Sequence, residues 1–230
     1  MNPNKKLMGE PKPRECPSNP IGVNNLDSKI LTLLDIPIER KSANVFEVLV
    51  TRQTRREFCK LEVGVLAEFL WYTAKTARIQ RRIPPPDWEH RPFPSAGGCH
   101  ATQILVISPS HGADYCGFYD HCAHGLRPIE VEDVLATVRD QISEVLPIQD
   151  GTLIFLAADP SRISGYYTNW ESLVWRDAGV LIGGFSVVAE ALDLNFCPLG
   201  VSGSEQIGLM LEGTTYLGVG VCILGGRRST

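Results

Sequence analysis

The stretch Pro94-Ser95-Ala96-Gly97-Gly98-Cys99-His100, leading into Gln103-Ile104-Leu105-Val106-Ile107, sets the reading of the 230-residue chain. A turn of small residues feeds an apolar, β-branched run, the pattern of a loop joined to a strand. Its glycines admit positive φ without strain. The exposed N–H groups of such a turn form a cradle for an anion or for polar ring atoms, and Ser95 adds a hydroxyl. Alone, the string is satisfied by a plain tight turn before a strand. The rest of the chain shifts the balance.

Upstream, Arg78–Pro94 reads as a loop, basic at Arg78, Arg81 and Arg82 and stiffened by Pro84-Pro85-Pro86. Before it, Val65, Leu66, Phe69, Leu70, Thr73 and Ala74 recur at helical spacing across Glu62–Ala77. A helical turn at Asn44–Leu49 precedes Arg52-Gln53-Thr54-Arg55-Arg56-Glu57-Phe58. Residues 1–44, rich in Pro, Asn and Lys near their start, read as an extended or partly disordered segment with a short helix around Ser28–Leu34. Residues 45–230 read as one domain.

Downstream, Gln103–Ser108 and Tyr115–Tyr119 read as strands joined by a hairpin connection. Ile129–Leu146 is an amphipathic helix and Thr152–Ala158 a buried strand. The apolar segment Asn169–Leu192 reads as a long helix of a core or subunit interface. Gly183-Gly184 in its middle is unfavourable by ~1 kcal/mol per glycine, which suggests close approach of a backbone or a flat ligand. Asn195–Gly200 is a short strand and turn, and Tyr216–Leu224 a closing strand before Gly225-Gly226-Arg227-Arg228. A hairpin without a strict βαβ rhythm favours an α+β architecture over a doubly wound sheet.

Composition excludes several classes. Hydrophobic residues make up 43% and charged residues 21%, ordinary values for a globular chain. A net charge of −4 gives no general reason to expect nucleic-acid binding. Seven cysteines without paired spacing form no disulfide framework and no metal-ligand pattern, and fit a reducing, cytoplasmic setting. The apolar runs are broken by charge or glycine, so no membrane span is expected.

Three separated pieces carry anion chemistry: Arg52 with Arg56, the Pro94–His100 turn, and Arg227 with Arg228. Arginines four apart share one face if helical and present convergent donors to a phosphate. The same spacing also describes a solvated basic patch.

Together these pieces resemble the nitroreductase-like flavoproteins. Arg52–Phe58 resembles their Arg-x-Ser-x-Arg-x-Phe opening. Arg91-Pro92-Phe93-Pro94-Ser95-Ala96-Gly97-Gly98 looks like the Arg-x-x-Pro-Ser-Ala-Gly-Gly element of the SagB-type dehydrogenase branch, which includes the azoline oxidases. Asp177-Ala178-Gly179 resembles the Glu-Ala-Gly-His core helix, Cys197-Pro198-Leu199-Gly200 the cysteine-x-isoleucine-glycine turn, and Gly218–Arg228 the terminal strand. The matches run in the family's order from about residue 45 to the end.

The resemblance implies an α+β sandwich, its mixed or antiparallel sheet flanked by helices, with a long central apolar helix and FMN at a homodimer interface. Arg52, Thr54 and Arg56, assisted by Arg227 or Arg228, would bind the flavin phosphate and ribityl chain. Ser95, Ala96, Gly97 and Gly98 would lie along the ring and ribityl groups. Leu199 and Gly200 would bring backbone N–H groups to the reactive flavin nitrogen. The implied activity is two-electron dehydrogenation of a peptide or natural-product intermediate, such as azoline to azole, with reoxidation by O₂ and biosynthetic partner enzymes. An NAD(P)H-dependent reductase of nitro compounds, quinones or enones is one alternative; a non-catalytic partner in a biosynthetic complex is another. The chain departs from the pattern at Val180, at Gly183-Gly184 and at Gly165-Tyr166-Tyr167, where the azoline oxidases tend to carry Lys-Tyr. Tyr166 and Tyr167 are then the candidate proton acceptors.

Other side chains leave two roles open. His100 either sits over the flavin or is structural, and Cys99 is either a redox thiol or a small buried residue. Asp87, Glu89 and His90 in the proline loop either line an entrance or are solvated loop residues. His121, His124, Cys116 and Cys122 lack zinc-ligand spacing, so no metal is expected.

Overall fold

A computed structural model of the chain describes residues 9–18, 31–39, 42–83, 87–109, 114–148 and 150–227. In order, the elements are β1 (Lys12–Pro13), β2 (Thr32–Leu33), α1 (Val45–Thr51), α2 (Val63–Ala74), β3 (Arg78–Gln80) and β4 (Trp88–His90). There follow β5 (Thr102–Pro109), β6 (Asp114–Asp120), β7 (Gly125–Pro128), α3 (Glu132–Val145), β8 (Thr152–Ala158), β9 (Tyr167–Thr168) and α4 (Glu171–Ala191). The chain closes with β10 (Leu194–Pro198), α5 (Ser204–Met210) and β11 (Leu217–Gly226).

Strand alternation explains how the layers form. In β5, β8 and β11 the residues Ile104, Val106, Ile154, Leu156, Cys222 and Leu224 share one core with Phe69 and Leu70 of α2 and Val174 and Phe185 of α4. Their neighbours Leu105, Ile107, Leu153, Phe155, Val221 and Ile223 share a second core with Leu135, Val138 and Ile142 of α3 and Ile207 of α5. A strand buried on both faces must be apolar at every position, and β8 is fully buried along its length. The result is a sheet between two helical layers. Its seven strands run in the order β10-β11-β8-β5-β6-β7-β2, and every described pairing is antiparallel.

Several expectations need correction. Arg78–Pro94 is not only a loop: β3 and β4 pair as a short hairpin, Arg78 opposite His90. Thr32–Leu33 is an edge strand on β7, not the end of a helix, while Ser28–Ile30 lie outside the described residues. Strand β7 and helix α5 were not expected. The helix α4 is long and apolar enough, by length and composition, to cross a membrane. In this fold its buried face, including Val174, Ala178, Phe185 and Ala189, packs into the first core.

The glycine pair in α4 has two separate surroundings. A Cβ at Gly184 would collide with the Phe93 ring, so the glycine admits that side chain. At Gly183 a Cβ would meet nothing, because this face is open.

Candidate functional site

The glycine loop is a single 3₁₀ turn at Ala96–Gly98, with Gly97 at φ 57° and Gly98 at φ 64°. These values are costly for residues with a Cβ. A Cβ at Gly97 would also come within 2.5 Å of the Tyr167 hydroxyl. Asp177 of α4 fastens the loop: the Ala96 N–H donates to both carboxylate oxygens, at 3.0 and 3.1 Å. Burial pushes the Asp177 carboxyl up to about 6, against the opposing pull of that N–H. The Ser95 hydroxyl accepts the N–H of His100 at 2.9 Å, which closes the turn on itself.

His100 points behind the loop. Its Nε2 lies 2.9 Å from the Glu89 carbonyl, an acceptor, so Nε2 carries the proton. Burial, with nearby Arg91, lowers its pKa to about 4, so the ring is neutral at ordinary pH. Cys99 is buried, and burial raises its thiol pKa although Arg82 donates to the sulfur. The same Arg82 guanidinium lies 3.7 Å from the centre of the Tyr166 ring. The Tyr167 phenol is raised by burial, which keeps it protonated.

The N-terminal segment reaches this site. β1 pairs with β9, so Lys12 and Pro13 lie opposite Thr168 and Tyr167. The Arg14 N–H donates to the Tyr166 carbonyl and the Ser18 N–H to that of Gly165. Tyr166 is therefore held by a main-chain bond, and Tyr167 is flanked, by a part of the chain that carries none of the family motifs.

A second group forms at the other half of α4. Because α1 ends at Thr51, Arg52–Phe58 is not helical, and the i, i+4 relation expected for Arg52 and Arg56 does not hold. The segment instead lies along β10, with the Arg55 N–H on the Phe196 carbonyl. Arg52 reaches the Ser186 hydroxyl at 3.3 Å. Arg56 is exposed and acts on the nearby Cys197 thiol, whose pKa burial raises and Arg56 opposes. Thr54 is exposed too. Among the described residues neither Arg52 nor Arg56 has a carboxylate partner.

Arg55 and Arg227 are both committed to Glu190, and Arg227 also to Asp193. The guanidinium of Arg227 is thus not open to an anion without breaking these pairs. Arg228 lies outside the described residues. The Leu199 N–H is used by the Val221 carbonyl at 2.8 Å, which leaves Gly200 as the exposed backbone of that turn.

Ser186 follows Asp177 by nine positions of helix, about 14 Å at 1.5 Å per residue. The fold therefore gathers Ser95–His100, Tyr166 and Tyr167 at one end of α4. Towards the other end Arg52 reaches Ser186 and Arg227 reaches Glu190, with the exposed Thr54 and Arg56 on the segment along β10. Leu199 and Gly200 follow the far end of β10, opposite Val221 and away from Arg227.

Reasoning from the sequence missed three charged residues that organise these groups: Asp177 as the loop's acceptor, Glu190 as the arginine anchor, and Glu89. Expected to be solvated, Glu89 instead sits between Arg91 and Arg162. Burial raises its pKa and the two guanidiniums outweigh that, lowering it to about 2. The histidine and cysteine cluster dissolves into ordinary bonds. His121 Nδ1 donates to the Ala74 carbonyl, and His124 accepts the Tyr119 hydroxyl while its Nε2 donates to the Asp35 carbonyl. Among the described residues no group of three or more His, Cys, Asp or Glu is placed to hold a metal.

No family model and no curated protein matches the sequence. Solved structures do match in fold. A candidate nitroreductase from Ralstonia eutropha JMP134 superposes with TM-score 0.70 at 18% identity, covering 96% of this chain and 100% of that one. A candidate nitroreductase from Anabaena variabilis ATCC 29413 gives 0.60 at 16%, covering 91% of this chain and 41% of the other. The Escherichia coli microcin synthetase McbBCD complex, with truncated pro-MccB17 bound, gives 0.56 at 13%, covering 91% and 84%.

Proposed function

We propose that this chain, which has the α+β nitroreductase fold, is a cytoplasmic FMN-dependent oxidoreductase. It would dehydrogenate a peptide or natural-product intermediate, such as an azoline, with reoxidation by O₂. The observation that carries the reading is the use of α4. Its first half fastens a positive-φ glycine loop through Asp177, and its second half meets Arg52, which with Arg56 beside β10 has no carboxylate partner among the described residues.

These residues fit the cofactor. The Gly97 and Gly98 backbone carries no side chains of its own and has Tyr167 and Trp88 against it as walls, and Arg52 and Arg56 supply charge for a phosphate. Bound there, FMN supplies two-electron acceptance. Arg52, Thr54 and Arg56 hold the phosphate and ribityl arm. Ser95, Ala96, Gly97 and Gly98 line the ring, with Asp177 keeping the Ala96 N–H fixed. Gly200 offers backbone near the ring's polar edge. Tyr167, protonated beside Gly97, positions the substrate by donating a hydrogen bond, while Arg82 over Tyr166 shapes the wall. His100 supports the loop from behind through Glu89.

The second subunit belongs to the same reading. Phe46 and Val50 of α1 are 75% and 83% exposed, and α4 presents Trp175, Val180 and the open Gly179 and Gly183 beside them. An apolar face of this kind is covered in a homodimer. It lies along the helix that links the two halves of the site.

Purified protein should carry flavin absorbance near one FMN per chain, and replacing both Arg52 and Arg56 with Ala should weaken FMN binding at least 100-fold. A colourless protein that takes up no added FMN sinks the proposal. A second reading, reduction of nitro compounds, quinones or enones with NAD(P)H, draws support from the fold neighbours described as nitroreductases. Rapid anaerobic bleaching by NADH or NADPH would select it over the oxidase.

A further inference from the structure

We infer that the edge Ser164–Thr168, which ends in β9, is a docking strand for an extended peptide, and that β1 fills it as an internal competitor. The inference deepens the proposed function and rests on it for what the docked peptide is used for. The substrate is then a peptide held in extended conformation and recognised through its main chain.

Hydrogen bonding is the first argument. The Arg14 and Ser18 N–H groups donate to the Tyr166 and Gly165 carbonyls at 2.8 and 2.9 Å, and Arg14 Nε donates to the Ser164 carbonyl at 3.1 Å. In return the Thr168 hydroxyl donates to the Lys12 carbonyl at 3.4 Å, and Asn169 Nδ2 to the Glu10 carbonyl at 3.0 Å. Of these contacts, only the one from Arg14 Nε uses a side chain of the N-terminal segment. Main-chain bonds of this kind give affinity to any extended chain in register, which is the basis of strand addition.

Packing is the second. Residues 12–18 are exposed throughout, and neither core includes a residue of the segment 9–18. A pair of two-residue strands without buried apolar area is marginal by itself. A chain with the same main-chain donors can therefore exchange with β1 at little cost to the rest of the fold.

The prolines are the third. Because Arg14 bonds Tyr166, an antiparallel ladder turns the N–H groups of residues 12 and 14 toward β9 and those of 11 and 13 away. Pro11 and Pro13 fall on the outward positions. There a missing donor costs no bond to β9, and no further strand can pair on the outside. The register also places the docked chain beside the proposed chemistry: Pro13 stands opposite Tyr167, whose hydroxyl lies against Gly97.

Fluorescence anisotropy tests this on the full chain with a labelled peptide of sequence Glu10–Ser18 carrying Cys16→Ser. In the wild-type protein the tethered β1 competes at an effective concentration on the order of millimolar. Arg14→Pro removes the inward N–H of the tethered segment, so this variant should bind the peptide at least tenfold more tightly than wild type. Arg14→Ala keeps that N–H and should stay within threefold of wild type. Ser18→Pro removes the other donor and serves as a second variant. The same peptide methylated on its Arg14 nitrogen should bind the Arg14→Pro protein at least tenfold more weakly. The inference is overturned if the peptide fails to saturate both proline variants, or if those variants bind it no better than wild type. It is also overturned if Arg14→Ala matches Arg14→Pro, or if the methylated peptide binds equally well. Flavin content is read separately. A colourless protein that binds the peptide sinks the flavin reading and supports the docking strand, and a flavin-loaded protein that does not bind it overturns this inference alone.

Discussion

Two carboxylates on one helix behave in opposite ways. Asp177 is buried with a backbone N–H as its partner, and its pKa rises to about 6. Glu190, thirteen residues on, is buried too, but hydrogen bonds and charge from Arg55 and Arg227 outweigh desolvation and lower its pKa. For these two carboxylates, burial sets the direction at Asp177, and paired guanidiniums reverse it at Glu190. The first carboxylate orders a loop at modest electrostatic gain. The second locks Arg52–Phe58 and the end of β11 to α4 through charge, and withholds Arg55 and Arg227 from any anion.

The largest test breaks the second arrangement. Glu190→Ala leaves two half-buried guanidiniums facing each other and should cost about 3 kcal/mol, read as a fall in denaturation midpoint. Glu190→Gln, which keeps the shape, should cost less. Equal losses would mean that packing, not charge, holds this end of the helix.

The next test concerns Asp177. Its folded pKa, about 6, lies above the ordinary 3.8, so its contribution to stability is present below pH 3.8 and is lost as pH rises through 6. His100, lowered to about 4, and His121, lowered further, act in the reverse sense: their contribution is present above pH 6.5 and is lost on acidification. Two histidines outweigh one aspartate, so the protein should lose stability between pH 6.5 and 4. Asp177→Asn removes the term favouring acid and should steepen that loss by roughly 2 kcal/mol. Chemical denaturation at pH 4.5 and 8 measures it. A profile unchanged by the substitution would show that Asp177 titrates alike in the folded and unfolded chain.

The two ends of α4 were legible to different degrees. The helix announces itself through Val174, Leu181, Phe185 and Val188, and β8 through an unbroken apolar run, because burial on one face or two dictates composition. The glycine loop was legible because positive φ narrows the choice of residue. Strands β3, β4 and β7 were not, since three or four residues such as Arg78-Ile79-Gln80 carry no periodicity of their own. Pairing partners decide them. Helix α5 begins at the left-handed Gly203 and is too short to show a pattern. Glu89 misled for a related reason: an acid beside a proline run reads as solvated until a fold brings Arg91 and Arg162 to it. Charge networks are tertiary facts, while apolar faces are local ones.

The smallest test lies between the two carboxylates, at Gly183 and Gly184. Gly184→Ala forces a methyl into the Phe93 ring and should cost roughly 1–3 kcal/mol, because the loop segment must shift. Gly183→Ala meets open space in the single chain. There it should raise helix stability by up to about 1 kcal/mol by restricting the unfolded backbone. In the proposed homodimer the same methyl sits on the covered face. Sedimentation across a dilution series should then show a severalfold weaker dimer, even as the dilute monomer melts higher. Weaker dimerisation with a more stable monomer would mean that a partner chain approaches α4 closely between Asp177 and Glu190. A gain in stability with unchanged association would mean that no partner reaches Gly183, and the dimer interface would have to be sought away from this face.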